Sequence, residues 1–277
     1  MNKNCRFSCN FCSISAFFRQ TYRPRPISEV VKEIETIRAK EVFLIDDNIA
    51  ADLDRAKDLF KALTPLDIRW ISQISIKALK DEELLELMAN SGCIGVLVGF
   101  ESLNQHNLLQ MNKAWNGGRS DYVTILARLR EKGISAYPTF VFGYDHDTLD
   151  SFQNTLDFAL REQFFFIAFN HLVPFPGTEL YNSLLDEGRL LYERWWLHDG
   201  FSFCDVAFKP KNFTPEQLSN LCLDFRKKFY SYQAIFRRGF NVRGNCNSIF
   251  KAMAFYSLNI LARKEVEQRQ GLLLGKR

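Results

Sequence analysis

Between residues 28 and 188 the apolar positions alternate between two periods. Val30, Val31, Ile34 and Ile37 recur at the spacing of one helix face, with Ser28 placed as N-cap. Residues 42–45 (VFLI) then form an unbroken apolar run, the pattern of a strand buried on both faces in a parallel sheet. It ends in Asp46-Asp47-Asn48. Leu53, Ala56, Leu59, Phe60 and Leu63 mark a second helix, and residues 68–76 a second strand, which carries Gln73. Asp81 opens a third helix that Gly92 closes. Residues 94–100 predict a third strand ending in Glu101-Ser102, followed by a loop or short helix with Lys113. Val123, Leu126 and Leu129 lie on one helix face, residues 136–143 form a fourth strand, and Phe152, Leu156 and Ala159 mark another helix. Residues 164–173 are the fifth strand, ending in Pro174-Phe-Pro-Gly177, and Thr178 caps a helix that Gly188 closes.

Strands alternating with helices of this length imply parallel βαβ units. Right-handed crossovers roll such units into a barrel-like sheet, with functional groups at the C-terminal strand ends. After residue 188 the pattern changes. Trp195-Trp196 and the aromatics Phe201 and Phe203 suggest a connector packing back on the sheet. Thr214-Pro215-Glu216-Gln217 has the form of a capping box with Pro at the first helical position. That helix runs through Leu218, Leu221, Cys222, Phe225 and Phe229, and another spans about residues 248–267. The expected domains are therefore a core, 1–188, and a mainly helical extension, 189–277.

The 277 residues are 47% hydrophobic and 25% charged, as in an ordinary globular protein. No apolar run reaches the roughly 18 residues of a membrane helix, and no signal-like segment precedes the first cysteine, so the expected location is the cytoplasm. The net charge of +4 is unevenly spread: residues 1–188 carry 20 Lys/Arg against 25 Asp/Glu, residues 189–277 carry 16 against 7. A basic second half is compatible with nucleic acid, an anionic surface, or solvated helix faces. No aromatic-plus-basic RNA-binding motif is visible.

Three cysteines fall within eight residues, Cys5-Arg-Phe-Ser-Cys9-Asn-Phe-Cys12. Thiolates are soft ligands for iron–sulfur clusters, zinc or copper(I). Cluster sites ordinarily use four cysteines, so three leave one iron open to a small molecule. Zinc wants a fourth His or Cys, and none follows before Cys93; His106 is the first histidine. An odd number suits a disulfide poorly. A zinc knuckle and a disulfide pair are the competing readings. Cys93, Cys204, Cys222 and Cys246 share no ligand-like spacing and read as buried small hydrophobes.

The pattern C-x3-C-x-aromatic-C resembles the motif of the radical S-adenosylmethionine (SAM) enzymes. The resemblance implies a 4Fe-4S cluster on Cys5, Cys9 and Cys12, with SAM on the open iron and Phe11 against its adenine. It implies a partial TIM-like (β/α)6 barrel, here lacking its first strand, plus the helical extension. Asp46, Asp47 and Asn48 stand where the family bonds the methionine ammonium, usually through Gly-Gly-Glu. Glu101, in Gly99-Phe-Glu-Ser102, matches a ribose-binding position, and Lys113 a basic position that pairs with the SAM carboxylate. Gly143 matches a glycine beside the adenosine, and Gln73 reaches substrate or the methionyl group if it points upward. His171 reads as a structural strand residue. The implied chemistry is one-electron reduction of SAM to methionine and a 5′-deoxyadenosyl radical.

Within the superfamily the chain is most similar to the cobalamin-binding group, through its cysteine loop, the Asp-Asp-Asn strand end and Pro-Phe-Pro-Gly-Thr-Glu-Leu-Tyr181. That group implies cobalamin as a further cofactor, with methyl transfer or ring-forming rearrangement as the reaction. It also implies a small-molecule or lipid-like substrate and an electron donor such as flavodoxin or ferredoxin. The alternatives are an RNA-modifying methylthiotransferase-type enzyme and an inactive cluster-binding fragment. Only four residues precede Cys5, so a first strand and an N-terminal cobalamin domain are expected to be missing, with the cysteine loop at the terminus rather than after a strand.

Overall fold

The computed structural model describes residues 2–3, 5–18, 21–241 and 244–273. In chain order the first elements are β1 (Asn2–Lys3), α1 (Ser13–Phe18), β2 (Arg23–Pro24), α2 (Ile27–Ile37), β3 (Glu41–Leu44), α3 (Leu53–Leu63), β4 (Arg69–Ile74), α4 (Glu82–Asn90) and β5 (Cys93–Glu101). They continue with α5 (Gln105–Gln110), α6 (Arg119–Glu131), β6 (Ser135–Phe142), α7 (Leu149–Arg161), β7 (Ala168–His171) and α8 (Glu179–Asp186). The last are α9 (Pro215–Phe229), α10 (Tyr232–Gly239) and α11 (Ile249–Arg269). Strands β3 to β7 form one sheet in sequential order, with parallel pairings. This is the expected α/β arrangement of a partial barrel.

The chain divides into two compact units, each assembled from separate stretches. The first comprises Met1–Ser8, Ile14–Phe100 and Trp115–Pro138; the second comprises Cys9–Ser13, Glu101–Ala114 and Thr139–Arg277.

In the first unit, Trp70 and Phe60 are fully buried and stack with ring centroids 5.0 Å apart. The Trp70 indole donates to the Ser91 carbonyl at 2.9 Å, satisfying its one polar group. Gly92 ends α4 with φ +88°, and a Cβ there would lie 1.9 Å from the Ile68 carbonyl oxygen, so only glycine fits this return to the sheet. The VFLI run is not buried on both faces: Phe43 is 50% and Ile45 68% exposed. The exposure belongs to a face rather than to this strand: Phe43 is in register with Ile71 of the interior strand β4, itself 41% exposed, so this face of the sheet is left uncovered here. Ser28 does not cap α2 either. Pro26 occupies the N-cap position with no side-chain cap, its fixed φ of −51° presetting the helix entry. Near the terminus, Asn2–Lys3 pairs antiparallel with Arg23–Pro24 outside the main sheet, so the cysteine loop does follow a short strand.

In the second unit Phe142 stacks on Phe152 at 4.0 Å, and Phe225 of α9 packs beside Phe152 at 5.3 Å. The capping box at Thr214 and Gln217 forms as expected. The fifth strand is shorter than expected, with residues 164–167 outside it. Their backbone is bonded to side chains instead: Arg238 donates to the Phe164 and Phe165 carbonyls, and the Tyr230 hydroxyl bonds both the N–H and the carbonyl of Ile167. The connector packs as expected at Trp195, whose indole donates to the Pro174 carbonyl at 3.0 Å.

Candidate functional site

The cysteine loop is anchored at both ends, each within its own unit. In the first unit, Ser15 donates to the Phe7 carbonyl at 2.8 Å, and Phe7 stacks on Trp115 at 3.9 Å. The Arg6 guanidinium pairs with Asp52 at 2.6 Å and lies over the Tyr22 ring. Asn48 is buried and directed: its amide nitrogen points at the Cys5 sulfur at 3.7 Å, while its carbonyl accepts from the Ser75 N–H at 3.1 Å. Asn48 thus ties Cys5 to the C-terminal ends of β3 and β4. Asp46 beside it is buried, Asp47 half-buried. Gln73, in register with Leu97, is half-buried, and its carbonyl accepts from the Ile49 N–H at 2.9 Å.

In the second unit the anchor is Asn10, between Cys9 and Cys12. Its N–H donates to the Met111 carbonyl (3.2 Å) and its side-chain amide to the Gln110 carbonyl (2.6 Å). Its amide oxygen accepts from the Tyr144 hydroxyl (2.8 Å), and its backbone carbonyl from the Leu180 N–H (3.0 Å). One residue therefore fastens the loop to the segments following α5, β6 and the Pro-Phe-Pro-Gly turn. The Cys12 N–H donates to the Cys9 carbonyl, closing a tight turn around Phe11, whose ring meets Tyr144 edge-on at 6.5 Å. Burial, then the nearby Glu101 and Cys9, push the Tyr144 hydroxyl well above its ordinary range, so it stays a proton donor to Asn10.

Glu101 and Lys113, expected to hold different parts of one ligand, meet each other instead. Their side chains are both 9% exposed and pair at 2.6 Å. Glu101 has φ +62°, a left-handed backbone that non-glycine residues seldom adopt and that marks functional positions. Gly143 also has positive φ, +118°, but what its missing Cβ makes room for is protein: Leu218 at 2.8 Å and Phe208 at 3.1 Å. Its N–H and that of Tyr144 donate to the buried Asp147, which Asn107 also contacts at 2.8 Å. Burial raises the Asp147 carboxyl to about 7 against those three donors.

Among the described residues, no three His, Cys, Asp or Glu side chains are grouped to hold a single metal ion. The cysteine loop supplies three half-buried thiols and no hard ligand, a donor set that fits an iron–sulfur cluster. The Cys93 and Cys222 thiols are buried and pushed upward by that burial, as inert core residues are. Burial pushes His171 down to about 4, a neutral strand imidazole.

Asn10, Tyr144 and Asp147 were not singled out by sequence. The signal was there: an amide inside the cysteine motif, and polar residues directly after a buried strand.

Parallel strands in sequential order, with helices between them, define the class of α/β partial barrels. The family model of the radical SAM superfamily matches residues 1–159, and the chain belongs to that superfamily. It is 31% identical over 242 residues to the bacteriochlorophyllide d C-12(1)-methyltransferase of Chlorobaculum tepidum, covering 85% of this chain and 52% of that protein. It resembles the radical SAM methyltransferase TsrM from Kitasatospora setae, solved with cobalamin and a [4Fe-4S] cluster, with TM-score 0.61 and 18% identity over 79% of this chain and 45% of that one. The cobalamin-dependent SAM radical enzyme OxsB is similar at TM-score 0.61 and 13% identity, covering 96% and 45%. These two likenesses show the fold. The chain spans about half the length of the curated relatives it matches. Among the described residues, no helix is long and apolar enough to cross a membrane.

Proposed function

We propose that this chain is the SAM-cleaving part of a radical methyltransferase, with residues 1–188 as its core and 189–277 as its extension. Cys5, Cys9 and Cys12 hold a 4Fe-4S cluster, which when bound supplies the electron that breaks a carbon–sulfur bond of SAM. Asn10 carries this reading: four hydrogen bonds fix the stretch between Cys9 and Cys12 to the end of α5, the loop after β6 and the start of α8, as a cluster loop that must present its open iron in one orientation requires. Asn48 does the same for Cys5. Asp46 and Asp47 stand ready for the ammonium of SAM, Phe11 for its adenine, Glu101 for its ribose and Lys113 for its carboxylate. Gln73, half-buried on the same face of β4 as the exposed Ile71, meets the substrate side. Gly143 serves by letting the strand end pass its neighbours closely. The methyltransferase relatives support methyl transfer to a small-molecule or lipid-like substrate; cobalamin is the methyl carrier and flavodoxin or ferredoxin the electron donor in this reading.

The test is anaerobic reconstitution with iron and sulfide, followed by SAM and a reductant. About four irons per chain and formation of 5′-deoxyadenosine or a methylated product are expected. One zinc and no sulfide per chain would overturn the reading.

A further inference from the structure

Between Asp224 and Glu265 the chain has nine Lys or Arg and no Asp or Glu. The same stretch carries an unusual exposed surface. On α10, Tyr232, Phe236 and Phe240 recur one turn apart and all are exposed, Phe236 by 60%. The Phe236 and Phe240 rings pack edge to face on each other rather than into the core. On α11, Ile249, Phe250 and Met253 are exposed, Phe250 by 79%, while only Phe255 and Asn259 of its 21 residues are buried. The two helices lie side by side and antiparallel, since Tyr256 meets Gly239 and the Arg263 guanidinium lies 4.6 Å from the Tyr232 ring. Lys227 and Lys228 of α9, Arg237 of α10 and Lys264 of α11 are also exposed.

We propose that the outer surface of α10 and α11 docks on an anionic lipid membrane. Exposed apolar side chains clustered on adjacent helices mark interaction sites, and the occupant must suit the charge as well. Aromatic and aliphatic side chains in a stretch with Lys and Arg but no Asp or Glu, on helices too short or too polar to span a bilayer, match an interfacial surface. The apolar groups enter the acyl boundary and the cations meet acidic headgroups. A second copy of this chain would set like charges against each other. Nucleic acid would meet the cations but leave Ile249 and Met253 nothing to bury against.

The test uses the full chain in vesicle co-sedimentation, with phosphatidylcholine vesicles containing about a third phosphatidylglycerol against pure phosphatidylcholine. Preferential binding to the anionic vesicles by about tenfold or more is expected, weakening with salt. The double variant F236D/F250D, altered only at exposed positions, should lose that binding by about tenfold while keeping its thermal unfolding midpoint. The proposal is overturned if the wild type stays in the supernatant, partitions equally, or matches the variant. It is equally overturned if light scattering shows a dimer, or gel shift a ribonucleic acid complex, that F236D/F250D abolishes without any vesicle binding. None of these readouts depends on the cluster.

Discussion

Two buried cations of the second unit are accommodated in opposite ways. Lys113, beside the end of β5, faces one carboxylate, Glu101, at 2.6 Å. Arg238 of α10 is fully buried and, among the described residues, pairs with no carboxylate. Its nitrogens donate to the carbonyls of Phe164, Phe165, Phe229 and Ala234 and to the Asn259 side chain, and its plane lies 3.8 Å from the Phe229 ring centroid. Desolvation in that setting draws its pKa down to about 10, still far above neutrality. Carbonyls satisfy hydrogen bonds without neutralising charge, so Arg238 is fixed in place and nothing can exchange with it. An ion pair can be re-formed around an incoming carboxylate or hydroxyl. The Glu101–Lys113 pair is thus an exchangeable contact, whereas Arg238 holds α9, α10 and α11 on the segment that precedes β7.

That contrast is broken or sharpened first by cysteine substitution, where the effect is largest. Cys5→Ala, Cys9→Ala or Cys12→Ala should each abolish the cluster absorbance after reconstitution, whereas Cys204→Ala and Cys222→Ala, beside the extension's core, should retain it. Visible spectra and iron counts decide the matter. Next is Arg238→Met. It strands several buried carbonyls at about 1–3 kcal/mol each, so a loss of about 3–5 kcal/mol in urea unfolding is expected. Cluster loading below the transition should be unchanged; a stable Arg238→Met protein would mean that Arg238 is not the pin. Smaller again is Glu101→Gln. Removing one charge-assisted bond should weaken SAM binding by about 1.5–3 kcal/mol. Isothermal titration giving the wild-type affinity would assign Glu101 to pairing Lys113 alone.

The architecture was readable because a period-two or unbroken apolar run and a period of 3.6 are local properties. Every predicted strand of the sheet is present, and the Thr214 capping box formed as written. What failed depended on neighbours. Phe43 and Ile45 look like core until their face of the sheet, shared with the exposed Ile71 of β4, is known to be uncovered. Residues 164–167 look like strand until Arg238, some 70 positions later, bonds their carbonyls. Likewise the three cysteines were legible from spacing, whereas Asn10 needed partners more than 100 residues away, at Tyr144 and Leu180, to gain meaning. Glu101, at the end of β5, and Lys113, in the loop after α5, were both singled out, but their mutual pairing is a fact of distance that no pattern encodes.

The smallest effect concerns Asp147, which holds the turn after β6 by accepting from Gly143 and Tyr144. Its carboxyl, ordinarily near 3.8, titrates near 7 in the folded protein because burial outweighs those donors. Between these two values the folded state keeps a proton that the unfolded state has released. Unfolding therefore sheds a proton, and stability from this group falls as pH rises across that window. Below the window both states are protonated and above it both are ionised, so the contribution is flat on either side. The slope is at most about 1.4 kcal/mol per pH unit for one proton. Asp147→Asn keeps an oxygen for the two N–H donors but cannot titrate, and a small pH-independent loss is expected where its amide faces that of Asn107. Urea unfolding of both proteins at about pH 5 and pH 8 reads the difference: the wild type should lose more stability than the variant over that span. Equal losses would show that the buried carboxylate is already ionised throughout, its hydrogen bonds having overcome burial. Asp147 would then join Arg238 as a charge fixed by polar contacts alone.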